Sequence, residues 1–94
     1  MKGYQCENCN TIANHYGKNS QILIAIEELS ELTKELCKYK RNYNRRNELI
    51  EEIADVEIMI EQLKCLFDIH SEVSNEIDYK LERQNRRMEQ ERGE

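Results

Sequence analysis

The chain contains no proline and no tryptophan, and only three of its 94 residues are glycine. With Glu, Leu, Ile, Lys and Arg dominating the remainder, that mixture favours long helices over strands and turns. No stretch approaches the roughly 18 apolar residues of a membrane helix, and the N-terminus lacks the charged-then-apolar layout of a signal peptide, so a soluble cytoplasmic protein is expected. Two of the four cysteines, Cys37 and Cys65, fall inside segments that read as helical; this argues against a secreted disulfide framework and predicts a buried, reduced pair. Positive charge is also short: 14 basic against 19 acidic side chains give a formal charge of −5, which disfavours a broad surface for polymeric nucleic acid. What remains is one small domain with one modest core, and a chain of this size is expected to self-associate.

Residues 1–19 are polar, with Gly3, Gly17 and several asparagines, and read as an irregular extension carrying Cys6-x-x-Cys9, with a short helix possible near Thr11 to Tyr16. From Ser20 the pattern turns helical: Ile22, Ile26, Leu29, Thr33 and Leu36 form one stripe, with Asn19 or Ser20 available as N-cap. This first core helix should end near Tyr39. Arg41 to Asn47, RNYNRRN, has no apolar period and reads as a connection suited to antiparallel neighbours. Leu49, Ile53, Val56, Ile60, Leu63 and Phe67 then recur at alternating steps of four and three, predicting a second core helix. After a break at Asp68 to Ser71, Val73, Ile77, Leu81 and Met88 mark a thinner stripe over 72–91, with Ser71 as N-cap. The fold class is therefore all-α, a small antiparallel bundle of three to four helices, with one domain over 20–91.

The acids carry the chemistry. Glu28 and Glu31 are three apart on the first core helix, and Glu52 and Asp55 three apart on the second, so each pair shares a patch of its helix. At about 100° per residue, each pair sits on the same-handed flank of its apolar stripe. Antiparallel packing through the stripes brings those flanks to one side. The midpoint between the pairs falls near Arg41 and Asn42, where the connection begins, so the pairs should also lie level. Four carboxylates held together without cations repel one another and raise their own pKa values. Mg²⁺, a hard cation that keeps waters and bridges to phosphates, relieves this. The plain alternative is that these acids are solvated positions on Glu-rich helices.

The order EELSEL at Glu27 to Leu32, then EEIADVEIM at Glu51 to Met59, resembles the all-α nucleoside triphosphate pyrophosphohydrolases, the MazG-like group that also contains dimeric dUTPases. The similarity runs from about Tyr16 to Arg87. It implies that Glu28, Glu31, Glu52 and Asp55 are metal ligands for Mg²⁺ and that an NTP or dNTP is hydrolysed to the monophosphate and pyrophosphate. Glu31 is the carboxylate assigned to the attacking water. The resemblance also implies that Gln21 faces the base and that Lys80, Arg83 and Arg87, on one face of the last helix, hold phosphates. A homodimer or a dimer of dimers would complete the core. Phosphoribosyl-ATP pyrophosphohydrolases share the carboxylate logic and rank behind.

Other residues read more plainly. Lys80, Arg83 and Arg87 can equally form exposed pairs with Glu76 and Glu82. Lys38, Lys40, Arg41, Arg45 and Arg46, interrupted by Tyr39 and Tyr43, read as a solvated loop before a nucleotide contact. Glu27 and Glu51 point away from the carboxylate patches, and Glu57 and Glu61 look solvated. One CxxC supplies half a zinc site, to which His15 or a second copy would have to add, so a flexible reduced N-terminus is preferred. His70 reads as a surface or capping residue. From a different class, a non-catalytic helical dimerisation or adaptor module would also show a heptad-like second helix, and only the four acids separate it from the enzyme.

Overall fold

The structure, a computed structural model, describes residues 1–93, and its regular elements are all helices: α1 Gly3–Tyr16, α2 Lys18–Arg41, α3 Arg46–Phe67 and α4 His70–Glu91. The all-α bundle is as expected. None of these helices is long and apolar enough to cross a membrane.

α1 is a full helix of 14 residues where sequence suggested an irregular segment. Its start is held by the Lys2 N–H, which donates to Gln5 Oε1 at 2.6 Å. Small residues hold its face: Cys9 and Ala13 are buried where α1 packs on α3. Few bulky apolar residues mark that face, which is why periodicity missed it. Gly17 closes α1 by donating its N–H to the Ala13 carbonyl at 2.8 Å, and with φ +88° it takes a conformation that strains any residue bearing a Cβ. It lets α2 begin at once, so Gly17 caps α2 where Asn19 or Ser20 was expected.

α2 and α3 form an antiparallel hairpin through Asn42–Arg45, a shorter connection than Arg41 to Asn47 because both helices run further inward. Asn42 Oδ1 accepts from the Asn44 N–H at 3.1 Å and folds the turn on itself. Three rungs fix the register. Nearest the turn, Arg45 donates to both oxygens of Glu35, Nε at 2.7 Å and an outer nitrogen at 2.9 Å. Glu28 meets Glu52 and Asp55 in the middle. At the far end Gln21 Nε2 donates to Gln62 Oε1 at 2.7 Å.

The face that α2 turns inward is not the expected one. Gln21, Ala25 and Glu35 are buried and Glu28 and Leu32 half-buried, whereas Ile26, Leu29, Thr33 and Leu36 are exposed and Ile22 is half-buried. The inward stripe is displaced by one position, about 100° around the helix. The physical reason is that α2 approaches α3 through small and polar side chains that bond one another. On α3, Leu49, Val56 and Leu63 are half-buried and Met59 is buried, while Ile53, Ile60 and Phe67 face outward.

α3 stops at Asp68, whose φ of 54° is the left-handed turn that Asp tolerates. α4 then begins at His70 with Ile69 as N-cap, two residues ahead of the expected Ser71 cap. Among the described residues α4 packs on α3, with His70 also facing the hollow beside α1, and buries no residue. The radius of gyration is 16.4 Å, against about 12 Å for a compact domain of this length. The accessible surface is 7434 Å², roughly 1,700 Å² more than a folded monomer of this mass exposes.

Candidate metal centre

Glu28 on α2 and Glu52 and Asp55 on α3 each offer a carboxylate oxygen, and these lie within 4.8 Å of one another. The convergence matches the expectation in level but differs in placement. Glu28 and Glu52 are half-buried on the inward side of the hairpin rather than on its flank, and Asp55 sits exposed at the edge. Glu52 Oε2 is sealed from solvent and has no hydrogen-bond partner among the described residues. A buried carboxylate oxygen without a donor is costly, and a cation beside it would remove that cost.

Glu31 lies one turn from Glu28 but outside this triad. Its side chain is exposed, and Oε1 is 3.4 Å from Lys34 Nζ. Its charge still reaches the cluster. Burial, the charges of Asp55 and Glu52, the close Asp55 carboxyl and the charge of Glu31 push Glu28 above its ordinary pKa. Burial, then Asp55, Glu31, Glu35 and Glu51, raise Glu52 in the same direction. Burial comes first in both shifts, and the crowding of negative charge adds to it.

The other residues assigned from sequence are placed apart. Gln21 is buried and committed to Gln62. Lys80 and Arg87 are exposed on α4, and Arg83 lies over the Tyr79 ring at 5.8 Å with its Nε sealed and unpartnered. Since α4 makes no contact with α2 among the described residues, these three do not join Glu28 within one chain. Neither Glu76 nor Glu82 pairs with them among the described residues; Glu82 pairs with Arg86 instead, at 3.1 Å. In the basic segment Arg45 is committed to Glu35, and Tyr39 and Tyr43 meet edge to face at 5.3 Å. Glu27, Glu51 and Glu57 are exposed as read from sequence.

Two sequence readings are corrected here. Glu61 is not solvated: it is 7% exposed and bonds His70 Nε2 at 2.7 Å, with Lys64 at 3.7 Å and Cys65 Sγ at 3.5 Å. Burial works to raise its pKa, but the bonds from His70 and Cys65 and the charges of His70 and Lys64 outweigh it and hold Glu61 below its ordinary value. Of the two mid-helix cysteines, Cys37 is exposed and Cys65 only half-buried, whereas Cys9 is the buried thiol; all four are free. Cys6 faces the same hollow as Glu61, Cys65 and His70, and His15 is engaged elsewhere with Tyr16. This second cluster was missed because its members are spread over 65 positions. The signal was present as Cys65-x4-His70 following Cys6-x2-Cys9.

Comparison of the chain with protein-family models, with curated proteins and with solved structures finds no match in any of the three.

Proposed function

We propose that this chain is a Mg²⁺-dependent nucleoside triphosphate pyrophosphohydrolase of the MazG-like type, working as a homodimer. The observation that carries the reading is the meeting of Glu28, Glu52 and Asp55 across two helices, with one Glu52 oxygen buried and unpartnered. An all-oxygen anionic donor set fits a hard divalent cation. Glu28, Glu52 and Asp55 would hold it, with Glu31 at the rim. Magnesium bound there supplies charge neutralisation and polarisation of the phosphate oxygens.

The chain's own groups do the rest. Glu31, exposed beside the triad, accepts a proton from the attacking water as its oxygen adds to the α-phosphorus; the bond to the bridging oxygen breaks and pyrophosphate leaves with the electron pair. NTP and water thus give the monophosphate and pyrophosphate. Lys80, Arg83 and Arg87 serve the phosphates from the α4 of a second copy. The surface excess of roughly 1,700 Å² per chain is ample against the ~800 Å² per partner of a standard interface.

A pyrophosphate-release screen over NTPs and dNTPs, with and without Mg²⁺, tests the reading. Mg²⁺-dependent release, lost in Glu52→Gln, is expected. No release from any nucleotide, with no Mg²⁺-linked rise in melting temperature, overturns it. The adaptor reading is favoured by one observation, the row of exposed apolar residues Ile26, Leu29 and Leu36 on α2. It predicts that alanine at all four acids leaves the protein's behaviour unchanged.

A further inference from the structure

α1, α3 and the start of α4 meet over a mixed set of donors that the carboxylate centre does not use. Glu61 and Cys65 lie one turn apart on α3, and the short corner at Asp68 and Ile69 swings His70 back over them. One donor atom each from Glu61, Cys65 and His70 falls within 4.8 Å of the others. Cys6 of α1 lines the same hollow. Cys9, three residues on along α1, is buried and shares the helix face of Cys6.

We propose that Cys6, Cys9, Cys65 and His70 hold a divalent cation of the zinc type, with Glu61 orienting the His70 ring. Thiolates and imidazole are the donors such borderline-soft ions select, unlike the all-oxygen triad on the other rung. The spacing Cys6-x2-Cys9 is that of a zinc-ligand pair, and the corner between α3 and α4 brings Cys65 and His70 together as a second pair. Tetrahedral bonds of 2.0–2.3 Å require donor atoms roughly 3.3–3.8 Å apart; Cys65 and His70 already lie within 4.8 Å of each other, and the Cys6 and Cys9 side chains must turn in from α1 to join them. The 2.7 Å contact from Glu61 to His70 Nε2 leaves Nδ1 for the ion, the carboxylate–histidine–metal arrangement that fixes the tautomer.

Four protein donors leave no open position, so the ion is structural. It ties the N-terminal helix to α3 and sets the angle at which α4 departs. Without it the Cys65 thiol stays protonated: burial, the Glu61 bond and charge, and the charges of Cys9 and Cys6 push it up to about 11. Binding displaces the three thiol protons to solvent.

The experiment is metal analysis of the full chain purified under reducing conditions, together with cobalt(II) titration of the chelator-stripped protein. Roughly one zinc per chain, and cobalt spectra with thiolate charge transfer and tetrahedral d–d bands, are expected. His70→Ala, at a half-exposed side chain, and Cys6→Ser should lose the metal, and Glu61→Gln should weaken binding by about 10- to 100-fold. Cys37→Ser, at an exposed thiol outside the cluster, and Glu52→Gln should keep it, which separates this site from the carboxylate centre. A reduced, folded protein that holds no zinc and gives no thiolate band with cobalt overturns the proposal. Full zinc retention in both His70→Ala and Cys6→Ser does so too.

Discussion

Gln21 and Gln62 are bonded amide to amide at 2.7 Å in the most buried part of the hairpin. Cutting one back to alanine strands the other in an apolar setting, which costs about 1–3 kcal/mol. Gln21→Ala or Gln62→Ala should therefore lower the melting temperature clearly, while Gln21→Leu with Gln62→Leu should come close to the parent. A double-mutant cycle by urea denaturation reads the coupling; simple additivity would show that the bond contributes nothing.

The middle rung behaves oppositely with pH. Glu28 and Glu52 have raised pKa values, so the folded state binds their protons more tightly than the unfolded chain. The penalty is present at neutral pH and is relieved as pH falls through those raised values, fully below the ordinary carboxylate range. Glu35 is lowered, chiefly by its bonds from Arg45, so its contribution is intact above the ordinary range and lost as pH falls through its depressed value. In chelator, the melting temperature should rise as pH falls from neutral through the raised values of Glu28 and Glu52, and fall once pH drops through the depressed value of Glu35. Glu28→Gln with Glu52→Gln should flatten the first limb, and a limb left unchanged would refute this account of the cluster.

Saturating Mg²⁺ should abolish that acid-side gain by stabilising the neutral-pH form, by about 2.7 kcal/mol at a hundredfold excess over Kd. Glu31→Gln should lower kcat by about 10²- to 10⁴-fold if its carboxylate takes the water proton, while preserving the Mg²⁺-linked shift. Glu52→Gln should lose both. Calorimetry with and without Mg²⁺, paired with single-turnover rates, distinguishes the two variants.

Ile26 is 58% exposed on the outward stripe of α2. Ile26→Asp costs an isolated chain little, since surface changes stay within about 0.5 kcal/mol. In a dimer it places an unpaired charge in the apolar contact. Light scattering should find the parent dimeric and the variant dissociated at micromolar concentration. A parent that is monomeric at all concentrations would remove the second copy from the proposed site.

The hairpin and the level of its carboxylates were legible because both depend on counting: three residues within each pair, and equal distances from the turn. The inward face was not, because Gln21, Ala25, Glu28 and Glu35 line it, and polar or small residues give hydropathy nothing to detect. For α1, Cys9 and Ala13 suffice to seat a helix that composition describes as a tail. The role of Glu61 was hidden likewise, since its partner His70 belongs to the next helix and only the corner at Asp68 brings them together.

That corner also works as a lever. A 22-residue α4 is about 33 Å long, so tilting its base by about 10° would sweep its far end by about 6 Å. Whatever grips His70 thus governs, from a distance, where the guanidinium groups further along the rod are delivered.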